Sequence, residues 1–350
     1  MTAPRYRWQP TTAEIAARFG LRTNEVVRFD QNTSPFSTDW APGLIGPLAQ
    51  GLNEYPAASY GPLRAAAAEY LDADPRQIVP GAGIDEIILL VAKAYLGPGT
   101  RSTAAVPTYP LYEIATRQLG GEFVPVPCPA PGFEVPLDAL SVTAETSDVT
   151  WLCIPNNPTG HRLGDRAIID IVESARGIVV IDAAYAEFTE DRWSPWVQRY
   201  DNVIVCHTMS KGFGLAALRV GFALTSPTLA DELDGLRPPG SIASLSAEIA
   251  TSALATPTRM RRHVDRIVRE RSRFSDALAD SGMVVSAGSV TNFILCEVGP
   301  HADALADALM AEGLVVRRFP ADGPLGNHLR FTVRARGEND RLIEAIRRHS

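Results

Sequence analysis

The sequence predicts an α/β fold: a large part with a mainly parallel central sheet covered by helices, followed by a smaller α+β part. Three observations carry this. Short apolar runs without alternation recur through the middle of the chain, stretches with helical apolar spacing separate them, and polar or glycine-containing turns fall where the runs end. Strands that are apolar on both faces must be covered on both faces, and helices that connect parallel strands do so.

Taken in order, "TTAEIAARFG" reads as a short helix whose capping box pairs Thr11 with Glu14, and "RFDQNTSPF" after it reads as extended. Residues 1–42 thus form an N-terminal arm. Residues 43–240 hold the alternating pattern. The strand-like runs are "STAAV", "EFVPV", "VTWLCIP", "GIVVID", "NVIVCH" and "RVGFALT", and the helical stretches include "IDEIILLVAKAYL", "LYEIATRQLGG" and "DRAIIDIVESAR". The prolines and glycine of "RPPGSIASL" break this pattern and set a boundary. Residues 241–350 then read as a long charged helix from near Pro257, "TNFILCEV", a helix from Ala302 to Gly313, "GLVVRRF", "HLRFTV" and a final helix, which is the order of a small α+β domain.

Composition narrows the function classes. The 350 residues are 45% hydrophobic and carry a formal charge of −7, so no global electrostatic attraction to nucleic acid or anionic membranes is expected. The basic run "RMRRHVDRIVRERSRF" has Val264, Ile267 and Val268 on one side and reads as the solvated face of a helix. Cys128, Cys153, Cys206 and Cys296 lie in apolar surroundings without a CxxC pair, as buried reduced thiols do. The histidines lack metal-ligand spacing, the N-terminus lacks an apolar signal core, and no apolar run reaches membrane-spanning length. These features point to a cytoplasmic protein without a metal site.

Four segments place polar residues at the carboxyl ends of strands, where α/β folds bind ligands. In "PGAGIDEIILL", Gly81 and Gly83 precede a helix beginning near Asp85, which offers bare amides and a helix N-terminus to a phosphate. Glu86 occupies the place of the third glycine of a dinucleotide fingerprint, which disfavours a nicotinamide. "CIPNNPTG" ends a strand in a polar turn. In "GIVVIDAAYAEF", Asp182 ends a buried strand with Tyr185 three residues beyond. "HTMSKGFGLAALRVGF" sets Lys211 among small and apolar residues, with Arg219 eight positions on. Each segment alone is only a turn or a helix cap; together they supply a phosphate cradle, an amide, an acid, a phenol and an amine.

With "NEYP", "PTYPLYE" and "LRFTV" in the same order, the chain resembles the fold-type I, class I and II pyridoxal phosphate-dependent aminotransferases, and most closely the histidinol-phosphate aminotransferase family. The resemblance runs from about Arg28 to the C-terminus. It implies that Lys211 attaches the cofactor through its aldehyde, that Asp182 faces the pyridine nitrogen, and that Tyr185 and Asn157 bond the ring's phenolic oxygen. Tyr109 would stack on the ring. Ile84 and Asp85 would offer backbone amides to the phosphate, with Thr208, Ser210 and Arg219 adding hydroxyl and guanidinium contacts. Tyr55 matches a tyrosine that reaches the phosphate from another subunit, which implies a homodimer. Arg330, Arg317 and Asn32 match substrate-binding positions. The implied reaction moves an amino group between L-histidinol phosphate, or a related anionic amine, and 2-oxoglutarate.

The chain departs from the family at three places. Thr33 and Ser34 replace the usual glutamate and asparagine before Pro35, His207 stands where arginine is common, and Ile84 where a small or hydroxyl residue is usual. An aromatic or other amino-acid donor, or decarboxylation of the threonine-phosphate type, therefore stays open at this stage.

Overall fold

The computed structural model of the protein describes residues 9–349. Its central sheet has seven strands: β1 (Ile78–Gly81), β2 (Arg101–Val106), β3 (Glu122–Pro127), β4 (Val149–Cys153), β5 (Ile178–Asp182), β6 (Val203–Thr208) and β7 (Gly221–Leu224). Their spatial order is β1-β7-β6-β5-β4-β2-β3. Strands β2 to β6 pair in parallel, whereas β7 runs antiparallel to both β6 and β1. The apolar runs account for β2 to β7. Strand β1 was not among them because Pro80 and Gly81 obscure it; it lies at the sheet edge, where a strand tolerates proline.

Of the middle strands, β4 and β6 are buried at every residue and β5 at all but its first, Ile178. Helices supply the cover. Ile84–Tyr95 buries Ile87, Ile88 and Val91, and Asp165–Ser174 buries Ile168, Ile171 and Val172. These spacings of three and four residues put the apolar side chains on one helical face. All four cysteines are free and buried.

A second sheet of four antiparallel strands follows: β8 (Val284–Val285), β9 (Phe293–Glu297), β10 (Arg317–Arg318) and β11 (His328–Thr332), in the order β10-β11-β9-β8. The basic run forms the helix Thr258–Ala279, which buries Val264 and Ile267 and leaves most of its arginines exposed or half-buried. The helix expected from Ala302 to Gly313 stops at Ala311, and Gly313 lies beyond it with a φ of +78°. Helix Ser244–Leu254 packs against Gly61–Leu71, and the Tyr60 hydroxyl both accepts from Ile242 N at 2.9 Å and donates to Ile242 O at 2.8 Å.

The N-terminal helix Thr12–Phe19 has the capping box of Thr11 and Glu14. The expected extended run after it is only partly extended. Val27–Arg28 pairs in parallel with Leu314–Val315, and the chain then turns at Asn32, whose φ is +53°. Asparagine tolerates this left-handed conformation better than most residues, and its side chain is held there from both sides, as described below.

Among the described residues, no helix is long and apolar enough to cross a membrane.

Candidate active site

The parallel strands deliver their carboxyl ends to one edge of the sheet. Asp182 at the end of β5 sits beside Cys153 at the end of β4, and Thr208 ends β6 three residues before Lys211. Because β7 is antiparallel, its first residue arrives at the same edge, with Gly221 opposite Gly81. Two glycines are required there. A Cβ on Gly83 would lie 2.8 Å from Arg219 Nη2, and one on Gly221 would lie 2.7 Å from Ile84 N. Gly83 also has a φ of +83°. Their bareness lets Arg219 approach the N-terminus of helix Ile84–Tyr95.

Around that N-terminus the polar groups interlock. Arg219 donates to Ser210 Oγ at 3.4 Å and to Asp85 Oδ2 at 3.0 Å. Tyr109 donates to Asp85 Oδ1 at 2.9 Å. Thr208 Oγ1 accepts from Ser210 N at 3.2 Å. A guanidinium, two hydroxyls and the free amides of a helix start thus share one spot, which suits a dianion.

Deeper in, Asp182 is 3% exposed. Burial pushes its carboxyl up to about 6, against the opposing pull of a hydrogen bond from Tyr112 and one from the Ala184 amide. The Lys211 amine is pushed down to about 8, first by burial and next by the positive charge of Arg330. Lys211 Nζ donates to Gln31 O at 3.1 Å and lies 6.0 Å from the Tyr185 ring centre. The Tyr185 hydroxyl accepts from Asn32 Nδ2 at 2.9 Å.

The second sheet contributes the arginines. Across β10 and β11, Arg317 stands directly opposite Arg330, so both side chains leave the same face of the sheet. Arg330 is 6% exposed, donates to Asn157 Oδ1 at 2.5 Å and to Asp30 O at 2.7 Å, and lies over the Phe293 ring. Asn32 ties the two sheets together. Its amide N donates to Thr332 Oγ1 at 2.9 Å, its side-chain oxygen accepts from that same hydroxyl at 3.1 Å, and its carbonyl accepts from Asn292.

The structure therefore gathers Lys211, Asp182, Tyr185, Asn157, Asn32 and Arg330 in one region, and Ile84, Asp85, Tyr109, Thr208, Ser210 and Arg219 beside it. Arg317 is half-buried on the arginine face. Tyr55 is elsewhere: it is 97% exposed in the same stretch as the exposed Ile45 and Leu52. His207 points away from solvent, stacked on Phe222, and burial pushes its imidazole down to about 4. One side chain that contacts this cluster escaped the sequence reading. Tyr112, inside the quoted "PTYPLYE", donates to Asp182 Oδ2 at 2.5 Å. On helix Leu111–Gln118 it reads as a core aromatic, and no local signal marks its contact with Asp182.

Comparison with known proteins gives the family. A family model described as aminotransferase class I and II matches residues 21–348. The chain is 33% identical to a histidinol-phosphate aminotransferase of Chromobacterium violaceum, covering 97% of each protein. It is 34% identical to histidinol-phosphate aminotransferase 2 of Archaeoglobus fulgidus, covering 92% of this chain and 93% of the relative. Its fold matches the crystal structure of the histidinol-phosphate aminotransferase of Sinorhizobium meliloti with a TM-score of 0.88 at 24% identity, covering 98% of this chain and 96% of the other.

An α/β enzyme with this strand-end cluster and this family match is a class I and II aminotransferase, a pyridoxal phosphate-dependent transaminase of fold type I. Within that class the chain belongs to the histidinol-phosphate aminotransferase family.

Proposed function

We propose that the protein transfers the amino group of L-histidinol phosphate, or of a closely related anionic amine, to 2-oxoglutarate. The observation that carries the reading is the facing pair Arg317 and Arg330, set on one sheet face next to an amine whose pKa Arg330 depresses. Two guanidinium groups suit a donor and an acceptor that each bear an anionic group, because their forked N–H donors match carboxylate and phosphate.

The residues fit pyridoxal phosphate. Asp182 is a buried acid on a strand end, Arg219 and the helix start opened by Gly83 form an anion cradle, and Lys211 has a depressed pKa. When bound, the cofactor supplies an aldehyde for the amino group and a protonated ring that accepts the electrons released at the amine-bearing carbon. In this assignment Ile84 N, Asp85 N, Thr208, Ser210 and Arg219 would hold its phosphate. Tyr109, Asp182, Tyr185 and Asn157 would hold its ring, Asp182 balancing the protonated nitrogen and Tyr185 and Asn157 offering hydrogen bonds to the phenolic oxygen. With a pKa near 8, roughly a tenth of Lys211 is neutral at pH 7, against well under a thousandth for an ordinary lysine. Its Nζ is the base that takes up and returns the proton of the amine-bearing carbon.

The same proposal divides the chain into an arm over residues 1–42, a cofactor-binding part over 43–240 and a C-terminal part over 241–350. It also makes the active species a cytoplasmic homodimer in which Tyr55, Ile45 and Leu52 are covered by a second copy, with Tyr55 reaching that copy's phosphate cradle. Full activity of monomers at high dilution would overturn this assembly.

The substrate assignment is tested by comparing histidinol phosphate, unphosphorylated histidinol and phenylalanine at equal concentration, with carbon dioxide release measured alongside. The expected result is fastest turnover of histidinol phosphate and no gas. The substitutions Thr33 and Ser34 make phenylalanine the informative competitor: if it wins, or if the phosphate makes no difference, the donor is an amino acid. Release of carbon dioxide would replace transamination by decarboxylation.

A further inference from the structure

Asp182 is already engaged on both oxygens before any ligand arrives. Tyr112 Oη donates to Oδ2 at 2.5 Å, and Ala184 N donates to Oδ1 at 3.1 Å. The first distance is that of a charge-assisted O–H···O⁻ bond. Tyr112 is fully buried and has little freedom to leave. Its ring lies parallel to that of Trp151, with centroids 5.2 Å apart and planes 4° apart, and edge-on to Tyr109 at 5.7 Å. Its carbonyl accepts from Thr116 Oγ1 at 2.7 Å, which anchors that turn of the helix. The same phenol therefore touches the acid through its hydroxyl and the proposed ring-stacking tyrosine through its edge.

We propose that Tyr112 is a positioning residue for the transamination: it commits one oxygen of Asp182 and keeps the group a carboxylate, so that the other oxygen meets the cofactor's ring nitrogen as an anion. This rests on the reading of Asp182 as the acid opposite that nitrogen. The physical need is plain from the surroundings. Burial alone favours a neutral Asp182, and the nearby charge of Asp85 acts in the same direction. Lys211 opposes them. The Cys153 and Cys206 thiols and the Tyr185 phenol face the acid too, and burial holds each of them protonated and uncharged. Tyr112 is the side chain in this set that donates directly to Asp182, and burial together with the acid's charge holds its own proton firmly in place. A neutral Asp182 could not balance a protonated ring.

The test begins on the cofactor-free protein. Infrared difference spectra, with Asp182→Asn as the reference, isolate the protonated carboxyl band of Asp182, which should titrate with a midpoint of about 6. Tyr112→Phe keeps the stacked ring and removes the donor; the midpoint should rise by about one to two pH units, the value of one hydrogen bond to a charged group. Incorporation of 3-fluorotyrosine at position 112 makes a stronger donor of the same shape and should move the midpoint the other way. Cofactor affinity, read by equilibrium dialysis, should fall about two- to tenfold in Tyr112→Phe at pH 7, as the ionised share of Asp182 drops, and the gap should close at higher pH as Asp182 ionises in both proteins. A midpoint unmoved in both variants, with only the melting temperature lowered, would show a packing role and overturn the proposal. Asp182→Asn binding the cofactor as tightly as the parent would instead overturn the functional reading of Asp182, while the cofactor-free titration still decides what Tyr112 does to it.

Discussion

Asp182 and Arg330 are both buried and both charged, yet different kinds of neighbour hold them. Asp182 is fixed by groups of its own sheet region: the Ala184 amide two residues on, Cys153 on the adjoining strand, and Tyr112 on a covering helix. Arg330 is fixed by residues from elsewhere in the chain, the Asp30 carbonyl in the N-terminal segment and Asn157 in the turn after β4. The cofactor side is thus a product of one continuous sheet, whereas the substrate side exists only where three remote segments dock. Damage to the first should remove chemistry; damage to the second should change preference and cohesion.

The largest effect is expected at Lys211. Lys211→Ala should lower turnover by about a thousandfold or more, since base and covalent anchor are lost together. Borohydride treatment of the loaded parent should fix cofactor to the peptide carrying Lys211; labelling of another lysine would break the cofactor half of the comparison.

Arg330→Ala should reduce kcat/KM for the anionic donor by about ten- to a hundredfold, from the loss of a charge-assisted contact worth roughly 1.5–3 kcal/mol. Arg317→Ala, at a half-buried position, should cost about tenfold or less. Cofactor affinity should stay near normal in Arg317→Ala. Equal losses for charged and uncharged donors would show that the arginine face does not read the anion.

Asn32 probes the docking itself. Asn32→Ala removes the contacts to Tyr185 and to the Thr332 hydroxyl and places alanine at a φ of +53°. A loss of about 2 kcal/mol is expected by denaturant unfolding. Asn32→Gly relieves the backbone but not the contacts, so it should recover only part of that; full recovery would mean the side chain holds nothing.

The smallest effect sharpens the comparison, because Arg330 reaches across it. Cofactor uptake by the apo-protein needs neutral Lys211, so its rate should rise with pH through about 8. Removing the Arg330 charge removes one cause of the depressed pKa. The profile of Arg330→Ala should therefore move to higher pH, by less than one unit because burial is the larger cause. An unmoved profile would mean that the two groups do not interact.

Much of this was legible in the sequence. The middle strands and the amphipathic helices declare themselves by periodicity, and Lys211, Asp182 and Arg219 by their places at strand ends. What stayed hidden was tertiary. Tyr112 reads as a core aromatic on a helix, and nothing local reveals an acid 70 positions away. The turn at Asn32 reads as extended because its left-handed backbone is stabilised by Thr332 and Asn292, each some 300 or 260 positions distant. The strand β1 was obscured by a proline that is acceptable only because the strand lies at an edge.

The reversal of β7 has a mechanical consequence. The chain leaves the sheet edge after Thr208 and re-enters it at Gly221, so Lys211 and Arg219 ride on one short excursion rather than on separate crossovers. The distance between the reactive amine and the anion grip is then a property of loop length, gauged like the jaws of a fixed caliper. Residues could be inserted into outer turns of the protein with little effect on this gap, whereas a single residue added between Gly212 and Leu218 would reset it.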